Sequence, residues 1–166
     1  FDWLAKQKMV AVGEIGMDGT YPGLDKQEKW FRKFLELALK KDLPVIVHTR
    51  KAEKRVIEVL EEMKMKKVVL HCFCGGYKLI DRCLDNKWYF SIPTSVVYSK
   101  QFQEMVKRVP LTRILTESDA PFLAPVKGEK NKPGNVKLAV EKIAEIKGIT
   151  AKECANAIFA NYQGLF

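Results

Sequence analysis

The sequence predicts an α/β fold of parallel strands, a (β/α) TIM-type barrel that is incomplete, with about five strands. Three observations point there. Short apolar runs rich in valine and isoleucine alternate with patterns of helical period. Runs that are apolar throughout belong to parallel strands covered on both faces. Polar residues gather at one end of them: Glu14, His48, His71 and the pair Glu117 and Asp119 stand at or just past the C-terminal ends of four different runs. In a barrel those ends converge on one mouth, where chemistry sits. An open doubly wound sheet shares the alternation. However, no Gly-rich dinucleotide fingerprint follows the first run, and the placement of the polar residues favours the barrel.

The first strand is expected over residues 9–15 (MVAVGEI). A helix over 27–41 follows, with Trp30, Phe31, Phe34, Leu35, Ala38 and Leu39 on one face. Pro44 ends that pattern, and 45–48 (VIVH) is the second strand. Residues 52–63 repeat the helical spacing through Val56, Ile57, Leu60 and Met63. A third strand over 68–72, a helix over 77–86, a fourth strand over 88–92, a helix over 101–109 and a fifth strand over 113–117 continue the rhythm. Residues 121–135 (PFLAPVKGEKNKPGN) break it with proline, glycine and lysine, a loop of the length that usually has a function. Two helices, 136–147 and 151–162, close the chain. Gly148 can end the first, and Thr150 with Glu153 makes a capping box for the second.

The 166 residues, 47% hydrophobic and 30% charged, suit one domain over 1–166 with a real core. No apolar stretch approaches the roughly 18–20 residues that span a bilayer, so no membrane partner is expected. No targeting segment is visible behind Phe1. Cys72, Cys74, Cys83 and Cys154 match neither a zinc ribbon nor a C-x-x-C motif, and a reducing, cytoplasmic compartment is the simplest account. Cys72 and Cys74 read as small core fillers, with metal binding by Cys74 as the lesser alternative. The net charge of +9 favours polyanionic partners, nucleic acid first. Lysines spread along a helix, such as Lys26, Lys29, Lys33, Lys40 and Lys41, are more often solvated surface.

His48 and His71 are the only histidines, and each ends a strand at the same point. Alone, such a residue is more often a hydrogen-bonded rim histidine than a ligand. The repeated position reverses that preference. Two imidazoles and carboxylates from separate strands are the ligand set of a hydrolytic divalent-metal site, with one or two ions of Mg²⁺, Mn²⁺ or Zn²⁺. Glu14 lies between two glycines in GEIG and is alternatively a surface carboxylate in a turn, but the apolar flanks argue for burial, and a bound cation would offset the cost. Asp119 in ESDAP is alternatively a turn or cap residue, and Glu117 alternatively an ion-pair partner of Arg50 or Arg113.

At these residues the chain resembles the TatD family of metal-dependent deoxyribonucleases. The blocks GEIGMD (13–18), PVIVHTR (44–50), LHCFCGG (70–76) and TESDAPFLAP (116–125) are similar to the family signatures, in order and spacing. KGEKNKP (127–133) and ANYQGLF (160–166) resemble two further family features. The resemblance implies an amidohydrolase-like barrel that binds divalent metal and hydrolyses DNA phosphodiester bonds. It implies Glu14 as a shared ligand, His48 and His71 as ligands to one ion, and Asp119 as a ligand that also takes the proton of the attacking water. Glu117 matches an acidic position beside it. Arg50, Lys127, Lys130 and Asn131 match positions lining the mouth and are expected to face substrate phosphates.

The family's first strand carries an H-x-H pair, and this chain has none. GEIGMD resembles the family's fourth strand, so three strands, about 80–90 residues, are missing in front of it. A fragment, a gap filled by a second copy or a complementing N-terminal segment, and a truncated relative are the three explanations; buried-looking strands favour the first two. Met17, Thr49, Cys74 and Lys127 replace the commoner Leu, Ser, Ser and Arg. Two other functions stay open: metal-dependent hydrolysis of a small ester or amide, and a non-catalytic basic remnant that binds nucleic acid.

Overall fold

The computed structural model describes residues 1–166, apart from the side chains of Asp2 and Ala5. After a short helix α1 (Asp2–Ala5), five strands alternate with helices: β1 (Val12–Gly16), α2 (Leu24–Lys41), β2 (Val45–His48), α3 (Glu53–Glu62), β3 (Val68–His71), α4 (Tyr77–Asp85), β4 (Tyr89–Ile92), α5 (Lys100–Arg108) and β5 (Ile114–Thr116). Helices α6 (Val136–Lys147) and α7 (Ala151–Leu165) close the chain. All strand pairs are parallel, and the sheet order is β1-β2-β3-β4-β5. Sequential order settles the choice between architectures. A doubly wound sheet must reverse order at a switch point. Successive right-handed crossovers without reversal put every connecting helix on one face, as in a barrel wall.

The register shows which residues face which way. Val47 pairs with Leu70, Leu70 with Phe90 and Phe90 with Ile114, making one row across four strands. All four are fully buried, as are Val45, Val68 and Ile92, so this face carries the helices. Side chains alternate along a strand, so the next row points the other way. It holds Ile46, Val69 and Tyr89, then His48, His71, Ser91 and Leu115. This is the concave face, and both histidines lie on it at one level. Gly16 pairs with His48; the ladder is irregular between Val12 and Ile15, and the 2.8 Å contact of Glu14 Oε1 with His48 Nδ1 puts Glu14 on the same face.

Several boundaries differ from expectation. β1 starts at Val12 rather than residue 9, because its ladder begins where Val12 N donates to Pro44 O at 2.9 Å. α2 starts at Leu24 behind Gly23, whose φ of 81° only glycine adopts readily. On α2, Phe31, Leu35 and Ala38 are buried as expected, but Trp30 and Leu39 are exposed and Leu37 is buried instead. The helical stripe is wider than the sheet beneath it. α7 runs on to Leu165, and its Asn161 amide donates to Leu111 O and Ile114 O, both at 2.8 Å, tying the last helix to β5. The capping box at Thr150 and Glu153 is present, and Gly148 ends α6 with φ 66°. No helix among the described residues is long and apolar enough to cross a membrane.

Candidate metal and active site

Glu14, His48 and His71 come together at the C-terminal ends of β1, β2 and β3, and one ligand atom from each lies within 4.8 Å of the others. Glu14 Oε1 is 2.8 Å from His48 Nδ1 and 3.8 Å from His71 Nε2. Asp119 Oδ1 lies 3.8 Å from the same His71 nitrogen, beside the trio rather than within it. Close approach of β1 to β2 makes this contact. A Cβ on Gly16, whose φ is 146°, would sit 2.0 Å from the His48 carbonyl oxygen. Glu14 is exposed rather than buried, with 46% of its side chain accessible. The expected burial cost therefore does not arise, and among the described residues His48 is the hydrogen-bonding partner of the carboxylate.

Each imidazole has its other nitrogen fixed by a carboxylate behind it. His48 Nε2 is 3.0 Å from Asp18 Oδ2, and His71 Nδ1 is 2.5 Å from Glu117 Oε2. Asp18 in turn accepts from the Thr20 amide at 2.8 Å and the Thr20 hydroxyl at 2.5 Å. Burial opposes its ionisation, but those bonds and His48 outweigh burial and hold the Asp18 carboxyl at about 2. Burial likewise disfavours charge on His71, yet the hydrogen bond and charge of Glu117 push it up to about 9. Glu117 is held above the ordinary carboxylate range by burial, against the pull of His71. Backing of a ligand imidazole by a carboxylate sets its tautomer and aims its free nitrogen. The donor set and its backing fit a divalent cation held by Glu14, His48 and His71.

Glu117, expected among the catalytic groups, sits behind the site. Its Oε2 also accepts from the Ser91 hydroxyl, and its Oε1 is buried without a partner. It touches neither Arg50 nor Arg113; the Arg113 guanidinium stacks on Tyr89 instead, 4.9 Å from the ring centre. Its geometry makes it a positioning residue for His71.

Asn131 also departs from expectation. It does not face the mouth but is 5% exposed. Its amide nitrogen donates to Ser118 O at 2.6 Å and to Thr94 Oγ1 at 2.8 Å, while its backbone N–H donates to Pro121 O at 3.0 Å. Thr94, fully buried, donates onward to Leu123 O at 2.6 Å. These bonds pin the 118–123 segment that carries Asp119, itself held at φ 54°. The basic loop thus secures the acidic one. Lys127 and Lys130 are exposed, and the Lys127 ammonium lies over the Tyr98 ring at 5.0 Å.

A cavity of about 590 Å³ opens over the site, lined among others by Tyr21, His48, Arg50, His71, Asp119 and Phe122. Cys72 and Cys74 also line it. Cys74 is exposed and so is not a core filler; Cys72 is half-buried and packs against the edge of the core, and Phe73 between them, 1% exposed, packs fully inside. Asp18, Ser91 and Thr94 were not anticipated. A signal existed for two of them: Asp18 closes the GEIGMD block, and Ser91 is a lone hydroxyl in the apolar run YFSI.

A parallel-strand arc with imidazoles and a carboxylate converging at its C-terminal ends defines a TIM-barrel-like chain with a candidate metal centre. The chain belongs to the family described as TatD related DNase, whose model matches residues 1–166. It is 36% identical over 167 residues to the human protein named deoxyribonuclease TATDN3, matching 97% of this chain and 61% of that one. It is 35% identical over 154 residues to MJ1582 of Methanocaldococcus jannaschii, named an uncharacterized metal-dependent hydrolase, with 93% of this chain and 61% of the relative covered. The crystal structure of the Escherichia coli TatD homologue YJJV superposes with a TM-score of 0.87 at 28% identity, over 95% of this chain and 63% of that one. The chain therefore spans about three-fifths of the length of these relatives.

Proposed function

We propose that the protein is a metal-dependent hydrolase that cleaves phosphodiester bonds in DNA. The observation that supports it most is the convergence of Glu14, His48 and His71, with both imidazoles lining a cavity that also presents Asp119 and Arg50. Glu14, His48 and His71 would hold a divalent cation, Mg²⁺, Mn²⁺ or Zn²⁺, which when bound would lower the pKa of water and polarise a phosphoryl oxygen. The chain's own residues do the rest. Glu117 and Asp18 hold the imidazoles in place. Asp119, on its pinned loop and with 35% of its side chain accessible, takes the proton from the attacking water. Arg50 neutralises the substrate phosphate, and exposed Lys127 and Lys130 extend the basic rim.

The net charge of +9 suits DNA better than a small neutral ester or amide. The sheet ends at β1 and β5, and a complementing segment or a second copy at those edges is the assembly this reading implies. Four free cysteines accord with a cytoplasmic setting.

The test is DNA hydrolysis by the purified protein with each metal and with chelator, beside His71→Ala and Asp119→Asn. Metal-dependent cleavage that falls at least about a hundredfold in both variants is expected. Equal turnover in wild type and His71→Ala rejects the site. Hydrolysis of a small phosphoester without DNA cleavage moves the substrate to the smaller class. Salt-sensitive DNA binding without bound metal leaves a binding remnant.

A further inference from the structure

The turn after β3 reads HCFCGG. Phe73 turns inward onto Phe90, with ring centres 5.6 Å apart, and the residues on either side of it turn outward together. Cys74 Sγ reaches the Cys72 carbonyl oxygen at 3.4 Å, which turns the Cys74 thiol back over Cys72. Gly75 keeps this turn tight: a Cβ there would meet the Phe73 ring at 2.4 Å. Both thiols open onto the cavity that contains His71 and Arg50. The other two cysteines, Cys83 and Cys154, are fully buried. An exposed thiol with a second thiol in reach is the arrangement of a sulfur that reacts and a sulfur that resolves.

We propose that Cys74 and Cys72 form a peroxide-reactive dithiol, a reversible modification site in the wall of the cavity. Cys74 sulfur attacks a peroxide oxygen; the S–O bond forms, the O–O bond breaks, and hydroxide leaves. Cys72 sulfur then attacks the Cys74 sulfenic acid; the S–S bond forms, and the sulfenic oxygen leaves as water with the Cys72 proton. Hydroxide takes up the proton that Cys74 gave up on ionising. Two thiols are oxidised by two electrons, and one hydrogen peroxide is reduced to two waters. The local chemistry agrees. Arg50, lining the same cavity, places a positive charge where a Cys74 thiolate forms. The ring encloses only Phe73, so it is readily reopened by thiols. Its closure would act on the residue next to His71, which makes the state of the cavity sensitive to oxidant.

The test uses the reduced full chain in chelator, so its outcome does not depend on any metal assignment. After treatment with hydrogen peroxide, maleimide is expected to count two remaining thiols instead of four. The intact mass falls by two hydrogens, the change maps to the tryptic peptide 68–78, and dithiothreitol reverses it. Cys72→Ser is expected to trap a dimedone-reactive sulfenic acid on Cys74, and Cys74→Ser to slow thiol loss at least about tenfold. Four thiols surviving, loss at Cys83 or Cys154, links between chains, or an unchanged rate in Cys74→Ser would each overturn the proposal.

Discussion

Replacing Asn131 with alanine removes four hydrogen bonds at once. Two of them involve Lys132 N and the Asn135 amide, which are near enough to the surface to turn to water. The other two do not escape so cheaply. The Ser118 carbonyl loses its 2.6 Å donor, and Thr94 keeps only its own bond to Leu123. A buried acceptor left alone costs about 1–3 kcal/mol, and a lost buried bond about 1 kcal/mol more. The sum is about 3 kcal/mol, or roughly 6–12 °C in Tm for a domain of this size. Urea unfolding monitored by tryptophan fluorescence reads it as a lower midpoint at unchanged slope. Asn131→Asp keeps the acceptor but not the donors and is expected to be at least as damaging. An exposed asparagine that merely touched phosphate would shift stability by less than about 0.5 kcal/mol and weaken DNA binding instead. That outcome would refute the pinned-loop reading.

Gly16→Ala places a Cβ 2.0 Å from the His48 carbonyl oxygen at a φ of 146°; β1 must move away, and loss of both stability and metal binding is expected by denaturation and calorimetry. Arg50→Ala is expected to weaken DNA binding and lower the slope of log affinity against log salt by about 1, while Asn131→Ala leaves that slope alone. On α2, Glu28 is held below the ordinary carboxylate range by its hydrogen bond to Arg55, with burial opposing and Arg32 assisting. A depressed folded value contributes stability that is present above 4.5 and is lost as pH falls below it. Acid titration of Glu28→Gln should therefore show a shallower loss of stability than wild type.

Much of this molecule was legible in its residues because two periodicities dominate. Val45–His48 and Val68–His71 are short runs closed by polar residues, and both formed strands with bounds at or within a residue of those expected. The pairing of Val47 with Leu70 then placed His48 beside His71 on one face. What stayed hidden depends on contacts distant in sequence. Nothing local told that Asn131 turns inward to Ser118 and Thr94, since an asparagine in a lysine-rich loop serves equally well as a surface donor. Glu117 looked like an active-site acid, and only the register of β4 and β5 shows it lying behind His71 with Ser91. Trp30 matched the apolar stripe of α2 but overhangs β1, beside a cavity it shares with Phe34 and Glu14.

Titration of the chain with Mn²⁺, followed by the electron paramagnetic resonance of the free ion, tests most directly whether Glu14, His48 and His71 share one cation. Saturable binding to the wild type is expected, with affinity reduced at least about tenfold in each of Glu14→Gln, His48→Ala and His71→Ala. Binding that survives all three substitutions unchanged, or no saturable binding by the correctly folded chain, would contradict a shared ion at that mouth.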